Sequence, residues 1–372
     1  MRLGMFMQPV HDPRHDLTKS LEDDRETIKL ADALGYYEVW VGEHTAATSE
    51  PITDPLVFLA TLISETKQIK MGPGVYCLPH NHPAKVATQA ALFDHLSGGR
   101  FQMGIGNGTL SSDVELFEVG GNTDRSAMVR ESIGHILSIW SDDPPYNRQG
   151  RFWNVKVKNV SRIEHGVGAF IKPFQRPHPP IAISIMSPQS SSARMAGEHG
   201  WIPISGAAFL HPRYTASHWD AYCEGAEKAS REANPNIWRI SRSIVVAPTD
   251  QEAYDYIVNP EGAFSFWFRY LLGSLKARGM AALIAPENHP DPNALTWEEA
   301  AEYQVAWGSP RTVIEKLVAL SDLTGPFGVL TAMAHEWDDP AFCKRSMTML
   351  AKEVMPTFAR YVNQMKLTKA AE

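Results

Sequence analysis

Eight short runs with strand character recur along the chain, separated by longer segments of helical periodicity. No other sequence feature constrains the fold as strongly. Strands that alternate with helices pair in parallel, because a parallel connection has to cross over and a helix is the usual crossover. The runs are Leu3–Met7, Glu38–Val41, Ile69–Tyr76, Phe101–Ile105, Ile181–Ile185, Trp201–Ile204, Arg239–Val246 and Phe327–Met333. Eight is the number at which such a sheet closes, so the chain is expected to form an α/β fold, a (β/α)8 TIM barrel with insertions. Ser20–Leu34, Pro55–Glu65 and Ala84–Leu96 carry apolar residues at three- and four-residue spacing and are the expected outer helices. Gly35, Gly98, Gly99 and Gly200 follow helical runs, where a left-handed turn favours glycine.

A chain of 372 residues fits one large barrel domain, residues 1–372, with two interruptions. Residues 144–180 contain the alternating run Phe152–Val160 and then a Pro-rich passage, which predicts a β-hairpin insertion. Residues 259–292 are aromatic, then rich in Pro, Asn and Asp, and are expected to form a long loop that acts as a lid.

The net charge of −7 and the lack of any Lys/Arg-rich run exclude nucleic acid and anionic membranes as expected partners. No stretch is long and apolar enough to cross a membrane, and the first residues lack a signal peptide's apolar core, which predicts a cytoplasmic protein. Cys77, Cys223 and Cys343 are odd in number and widely spaced, so reduced thiols are expected.

In a barrel the chemistry gathers where strands end and loops converge. Those positions hold Glu43 and His44, Cys77, His80 and His82, Gly106 and Asn107, Met186 to Ser192, and His335 to Trp337. Few are acids, so paired carboxylates for glycoside hydrolysis are absent. His80 and His82 could approach a metal with His44, but Pro83 turns the segment into a helix and no metal site is expected. The run Gly104-Ile105-Gly106-Asn107-Gly108 is either backbone cleared for a flat ring or relief of crowding inside the barrel. Ser187-Pro188-Gln189-Ser190-Ser191-Ser192 opens a helix, and a helix start lined with hydroxyls matches a phosphate monoester, with Arg194 as added charge. Gly308-Ser309-Pro310 opens another helix and competes for that role, with the serine turn ahead.

Several of these fragments together resemble a known family. Val41-Gly42-Glu43-His44, Cys77-Leu78-Pro79 before His82-Pro83, and Asp94-His95-Leu96-Ser97-Gly98-Gly99-Arg100-Phe101 leading into Gly104–Gly108 resemble the bacterial-luciferase-like flavin-dependent monooxygenases. Ala196-Gly197-Glu198-His199-Gly200, Trp307-Gly308-Ser309-Pro310 and Ser346–Pro356 are similar to the branch that contains limonene monooxygenase. The resemblance implies a site for reduced FMN, supplied by a separate NAD(P)H:flavin reductase. O2 would add to the flavin C4a carbon, and the peroxide would pass one oxygen atom to a small apolar organic substrate. It implies His44 as the catalytic residue, managing protons. Gly74 and Val75 fall where the family has a bulged, often cis, peptide under the ring, and Gly106 and Asn107 fall at the ring edge. Arg125, Met186, Ser187, Ser190, Ser191 and Ser192 fall on or near cofactor-binding and phosphate positions. The resemblance also implies a homodimer paired through helices near the second and third strands. Two alternatives share the barrel: a coenzyme F420-dependent hydride-transfer enzyme and a non-enzymatic flavin-binding protein.

Overall fold

The computed structural model describes residues 1–371 apart from Pro9, Val160, Ser161 and Ala207. Each expected run contains a strand. β1 (Arg2–Met7), β2 (Glu38–Val41), β3 (Lys70–Pro73), β4 (Tyr76–Cys77), β5 (Met103–Gly106), β6 (Ile181–Ser184), β7 (Ile202–Ser205), β8 (Arg239–Arg242) and β9 (Val329–Ala334) form one sheet in the order β3-β2-β1-β9-β8-β7-β6-β5-β4. The third run is broken at a cis Gly74–Val75 bond into β3 and β4. Nine strands thus fill eight places, and the two ends of the order are consecutive in the chain, as in a (β/α)8 barrel. β1 and β9 pair in parallel from Arg2 opposite Val329 to Met7 opposite Ala334.

The seventh run also divides. Only Arg239–Arg242 joins the main sheet, while Ile244–Val246 pairs in parallel with Ala306–Gly308. The helix expected over Pro55–Glu65 is shorter: the α-helix covers Pro55–Ala60, capped by the Asp54 side chain on the Leu56 and Val57 amides. Gly35, Gly98, Gly99 and Gly200 all sit at positive φ, between 62° and 82°.

The chain divides into two compact units, one of residues 1–39, 48–51 and 183–372, the other of residues 40–47 and 52–182. In the larger unit, Arg239 at the start of β8 makes a bidentate pair with Glu38, Nε to Oε1 at 3.0 Å and Nη2 to Oε2 at 2.8 Å, with Glu38 fully buried. A planar guanidinium matched to a carboxylate satisfies both charges without water. Ser241 and Thr331 add a hydroxyl pair at 2.7 Å.

The stretch 259–292 is not one long loop, although 278–292 is largely irregular. Ala263–Ala277 is a helix whose Phe264, Trp267, Phe268, Leu271, Leu272 and Leu275 recur at three- and four-residue spacing and are buried in the core of the larger unit. Full burial of each such side chain stabilises by about 1.5–3 kcal/mol, and six in register outweigh any propensity of the flanking Pro and Asn to stay irregular. Tyr270 on this helix also donates to Glu50 at 2.5 Å.

In the smaller unit, Trp40 is fully buried and packs where Gly72 and Gly104 leave room. Residues 144–180 contain the expected hairpin, Tyr146–Gln149 antiparallel to Asn154–Val157. Val160, the last residue of the alternating run, lies outside the described residues. Among the described residues no helix is long and apolar enough to cross a membrane.

Candidate active site

β2 ends at Val41 and hands the chain to Gly42, Glu43 and His44. His44 Nδ1 stands 3.3 Å from Asp113 Oδ2. Asp113, on the helix Ser111–Leu116 after β5, is buried, and its carboxylate also accepts the Thr45 amide at 3.1 Å and the Ala46 amide at 2.7 Å. One carboxylate thus fixes both the imidazole and the backbone that carries it. Sequence reasoning missed Asp113, because a Ser-Ser-Asp run reads as a helix start and nothing local links it to a histidine 69 residues earlier.

Glu43 points elsewhere. Its carboxylate accepts the Cys77 amide at 3.1 Å and the Asn81 side-chain amide at 3.2 Å, and burial raises its pKa to about 7 despite those hydrogen bonds. It holds the end of β4 beside the cis bond, while Gly74 N donates to Val41 O at 2.6 Å. The expected cis-type geometry at Gly74–Val75 is therefore present.

The glycine run has a packing cause. A Cβ on Gly104 would come within 2.1 Å of the Pro73 carbonyl oxygen, and one on Gly106 within 2.5 Å of Val75 Cγ2. Gly108, at φ +66°, would press on His80 Cε1 at 2.6 Å. Of the two readings of this run, relief of crowding accounts for the glycines themselves. Gly74 and Val75 are half-buried and Gly106 is buried, and none carries a side chain larger than that of Val75. Asn107, between Gly106 and Gly108, is half-buried.

His80 stacks on Phe117 at 4.6 Å, and its buried Nε2 has no hydrogen-bond partner. His82 instead caps the helix Pro83–Leu96 by accepting the Ala84 amide. The two histidines diverge, and among the described residues no group of three or more His, Cys, Asp or Glu is placed to hold a metal. Arg125 donates to the Gly108 carbonyl at 2.5 Å, so part of its guanidinium braces the strand-end loop.

The larger unit carries the phosphate candidates. Ser190 is buried and caps the helix Ser191–His199 by accepting the Ser192 amide at 3.2 Å, so its hydroxyl has a structural task. Met186, Ser187 and Ser191 are exposed and Ser192 is half-buried. Arg194, expected to add charge there, is instead committed to Glu224 at 2.7 Å and to the Gln189 carbonyl at 2.9 Å. The competing helix start at Ser309 is already filled. Asp250 accepts the Ser309 amide at 2.7 Å and the Thr312 hydroxyl at 3.0 Å. A resident carboxylate repels a phosphate from those same donors.

Met5, Phe264 and His335 line a cavity of about 70 Å³ in the same unit. That is far below the 300 Å³ or more usual for organic ligands. His335 is buried against Phe264 and Trp267 with Nε2 3.0 Å from Ser243 Oγ, and burial lowers its pKa to about 4. It is a neutral packing residue.

Residues 1–325 match the family model described as luciferase-like monooxygenase. The 3,6-diketocamphane 1,6-monooxygenase of Pseudomonas putida is 29% identical over 96% of this chain and 98% of its own length. Limonene 1,2-monooxygenase of Rhodococcus erythropolis is 26% identical over 95% of this chain and 86% of its own. Among solved structures, the oxygenating constituent of 3,6-diketocamphane monooxygenase, a type II Baeyer-Villiger monooxygenase in complex with FMN, superposes with a TM-score of 0.86 at 30% identity, covering 96% of this chain and 98% of that one.

Proposed function

This chain belongs to the luciferase-like monooxygenase family, and from that membership we infer that it is the oxygenase component of a two-component system. It takes reduced FMN made by a separate flavin reductase and places one atom of O2 into a small apolar organic substrate. The observation that carries the reading is His44 held by Asp113 at the end of β2, in the same unit as the cis Gly74–Val75 bond.

The residues present fit the cofactor. Gly74, Val75 and Gly106 carry nothing larger than the valine side chain to obstruct a flat ring, and Asn107 beside them is neutral and polar. The Ser191 and Ser192 helix start suits a phosphate, with Ser190 as its cap and Ser187 and Met186 in the turn before it. When bound, reduced FMN supplies the electrons and the ring carbon at which O2 is activated. The chain's part is proton handling: Asp113 accepts from Nδ1 of His44, which assigns proton exchange to Nε2. Glu43 keeps the Cys77–Asn81 turn in place without touching the imidazole's partner.

We propose further that the protein is a homodimer. Leu92 and Leu96, one turn apart on the helix Pro83–Leu96, and Val57 on Pro55–Ala60 are more than half exposed, the kind of apolar surface that a partner covers. Replacing Leu92 and Leu96 by Asp should shift sedimentation to the monomer.

The deciding experiment is to mix the purified chain anaerobically with photoreduced FMN, admit O2 and follow the return of oxidised-flavin absorbance. Bound flavin should reoxidise more slowly than free flavin, and His44→Ala should shorten the delay. A bicyclic ketone is the first substrate to assay, given the diketocamphane relative. Failure to bind reduced FMN, with tight binding of F420 instead, overturns the reading in favour of hydride transfer.

A further inference from the structure

The helix Pro340–Met349 packs on the strand Ile244–Val246, where Ser346 Oγ accepts the Val246 amide at 2.8 Å. That helix, Val245 and residues Ala332 to Ala334 of β9 bound the cavity of about 70 Å³ in the larger unit. Small side chains leave the space: Ala332 and Ala334 on the strand, Cys343 and Ser346 on the helix. Met5, Phe264, Phe342 and Leu350 give it buried apolar walls. Met333, Met347 and Cys343 add polarizable sulfur, which strengthens dispersion contacts with a guest.

Most polar side chains on these walls are already engaged. Thr27 Oγ1 donates to the Asp23 carbonyl at 2.8 Å, Tyr256 Oη donates to Asp338 Oδ1 at 2.5 Å, and His335 Nε2 stands 3.0 Å from Ser243 Oγ. Glu336 is held by His11 and His15. Tyr36 brings one further hydroxyl to the wall. A buried water needs about two to four polar partners, so a space walled in this way favours an apolar guest.

We propose that this cavity is a binding site for molecular oxygen. The chain belongs to a family of monooxygenases, whose reaction consumes O2, and O2 is an apolar diatomic molecule. A void needs about 10–15 Å³ to admit one molecule the size of water, so this one admits a diatomic gas with room to spare while excluding an organic substrate. Transfer of an apolar molecule from water into such a space is favourable, and the gas is concentrated there. His335, Glu336 and Trp337 form part of the wall and follow β9 at the end of the strand, the side of a barrel where chemistry gathers. The consequence is kinetic. Oxygen held beside that strand end matters most when dissolved O2 is scarce.

Xenon is the probe, because it enters dry apolar cavities and needs no flavin to report. Crystals of the full chain pressurised with xenon should show an atom among Met5, Ala332 and Met347. Ala332→Ile, whose branched side chain suits a strand, extends into the void and should abolish that peak. Loaded with reduced FMN, the same variant should need severalfold more O2 to reach half its maximal rate of flavin reoxidation, with the maximal rate and reduced-FMN affinity kept. Met347→Ala enlarges the void and supplies the second measurement if the isoleucine variant does not fold: xenon occupancy should rise and the half-saturating O2 concentration should not. Ordered water in place of xenon in the wild type overturns the inference. So does an unchanged O2 dependence in Ala332→Ile, or a loss of reduced-FMN affinity that accounts for its slower reoxidation. None of these results touches the function proposed above, which fails if the chain does not bind reduced FMN.

Discussion

Asp113 Oδ2 lies 3.3 Å from His44 Nδ1 while the same carboxylate accepts the backbone amides of Thr45 and Ala46. The pair therefore has a structural half and a chemical half, and substitution can separate them. Asp113→Asn keeps the shape but offers one acceptor in place of two and can turn its NH2 toward the ring. Substrate oxygenation should fall by about tenfold to a hundredfold, with a small loss of stability. Asp113→Ala leaves the buried amides unmet and should cost about 1–3 kcal/mol in unfolding free energy. His44→Ala should reduce turnover by about 10²–10⁴-fold with little change in melting temperature. Equal melting losses in all three variants would refute the division.

Gly106 and Val75 compete for one volume. Gly106→Ala places a methyl 2.5 Å from Val75 Cγ2, and a β-branched side chain cannot swing away cheaply. The substitution should displace Val75 and weaken binding of reduced FMN. Val75→Ala in the same chain should restore much of the affinity, because it vacates the contested space. Additive losses in the double variant, measured by titration with photoreduced FMN, would count against a shared volume.

Glu43 should make the protein less stable as pH rises. Its folded pKa of about 7 exceeds its ordinary value near 4.5, because burial penalises the charge. The folded state thus holds a proton that the unfolded state has released, and stability declines between about pH 4.5 and 7 and is level above that. A shift of this size corresponds to about 3 kcal/mol at most. Glu43→Gln should remove the decline, seen as a melting-temperature gap to the wild type that widens from pH 5 to 7.

His11 titrates with the opposite sign. It is buried between Asp24 at 3.0 Å and Glu336 at 3.2 Å; burial opposes its charge, but the two carboxylates overcome this and raise its pKa to about 9. The stabilisation is fully present below about pH 6.5 and is lost as pH rises through 9. Chemical denaturation at pH 7 and at pH 9.5 should show the wild type losing stability over that interval. His11→Gln should be weaker at pH 7, by about 3–5 kcal/mol for an unpaired buried charge, and nearly flat over the same range.

The barrel was legible because strand and helix periodicities differ, and all eight runs contain strands. What periodicity could not reveal was the break at Gly74–Val75, since β-prone residues continue through it, or the departure of Ile244–Val246 to a second sheet. The first half of the stretch 259–292 was misread as loop. Its Pro and Asn residues flank the helix, and the apolar spacing from Phe264 to Leu275 was the signal that mattered. At the site, His44 was found by resemblance, whereas Asp113 and Asn81 each act across a gap in sequence that only folding closes. Arg194 shows the converse: a cation in the right place along the chain can be bound elsewhere in space.

The Asp250 carboxylate at the start of the helix Pro310–Thr324 makes the chain its own competitor. Any dissolved anion that approached the Ser309 and Thr312 donors would have to evict a tethered one, whose local concentration no cellular phosphate can match. The two serine-opened helices thus differ in occupancy: among the described residues the start of the helix Ser191–His199 is capped by Ser190 rather than by a carboxylate, so under the proposed function the flavin phosphate has one open helix start where sequence had suggested two.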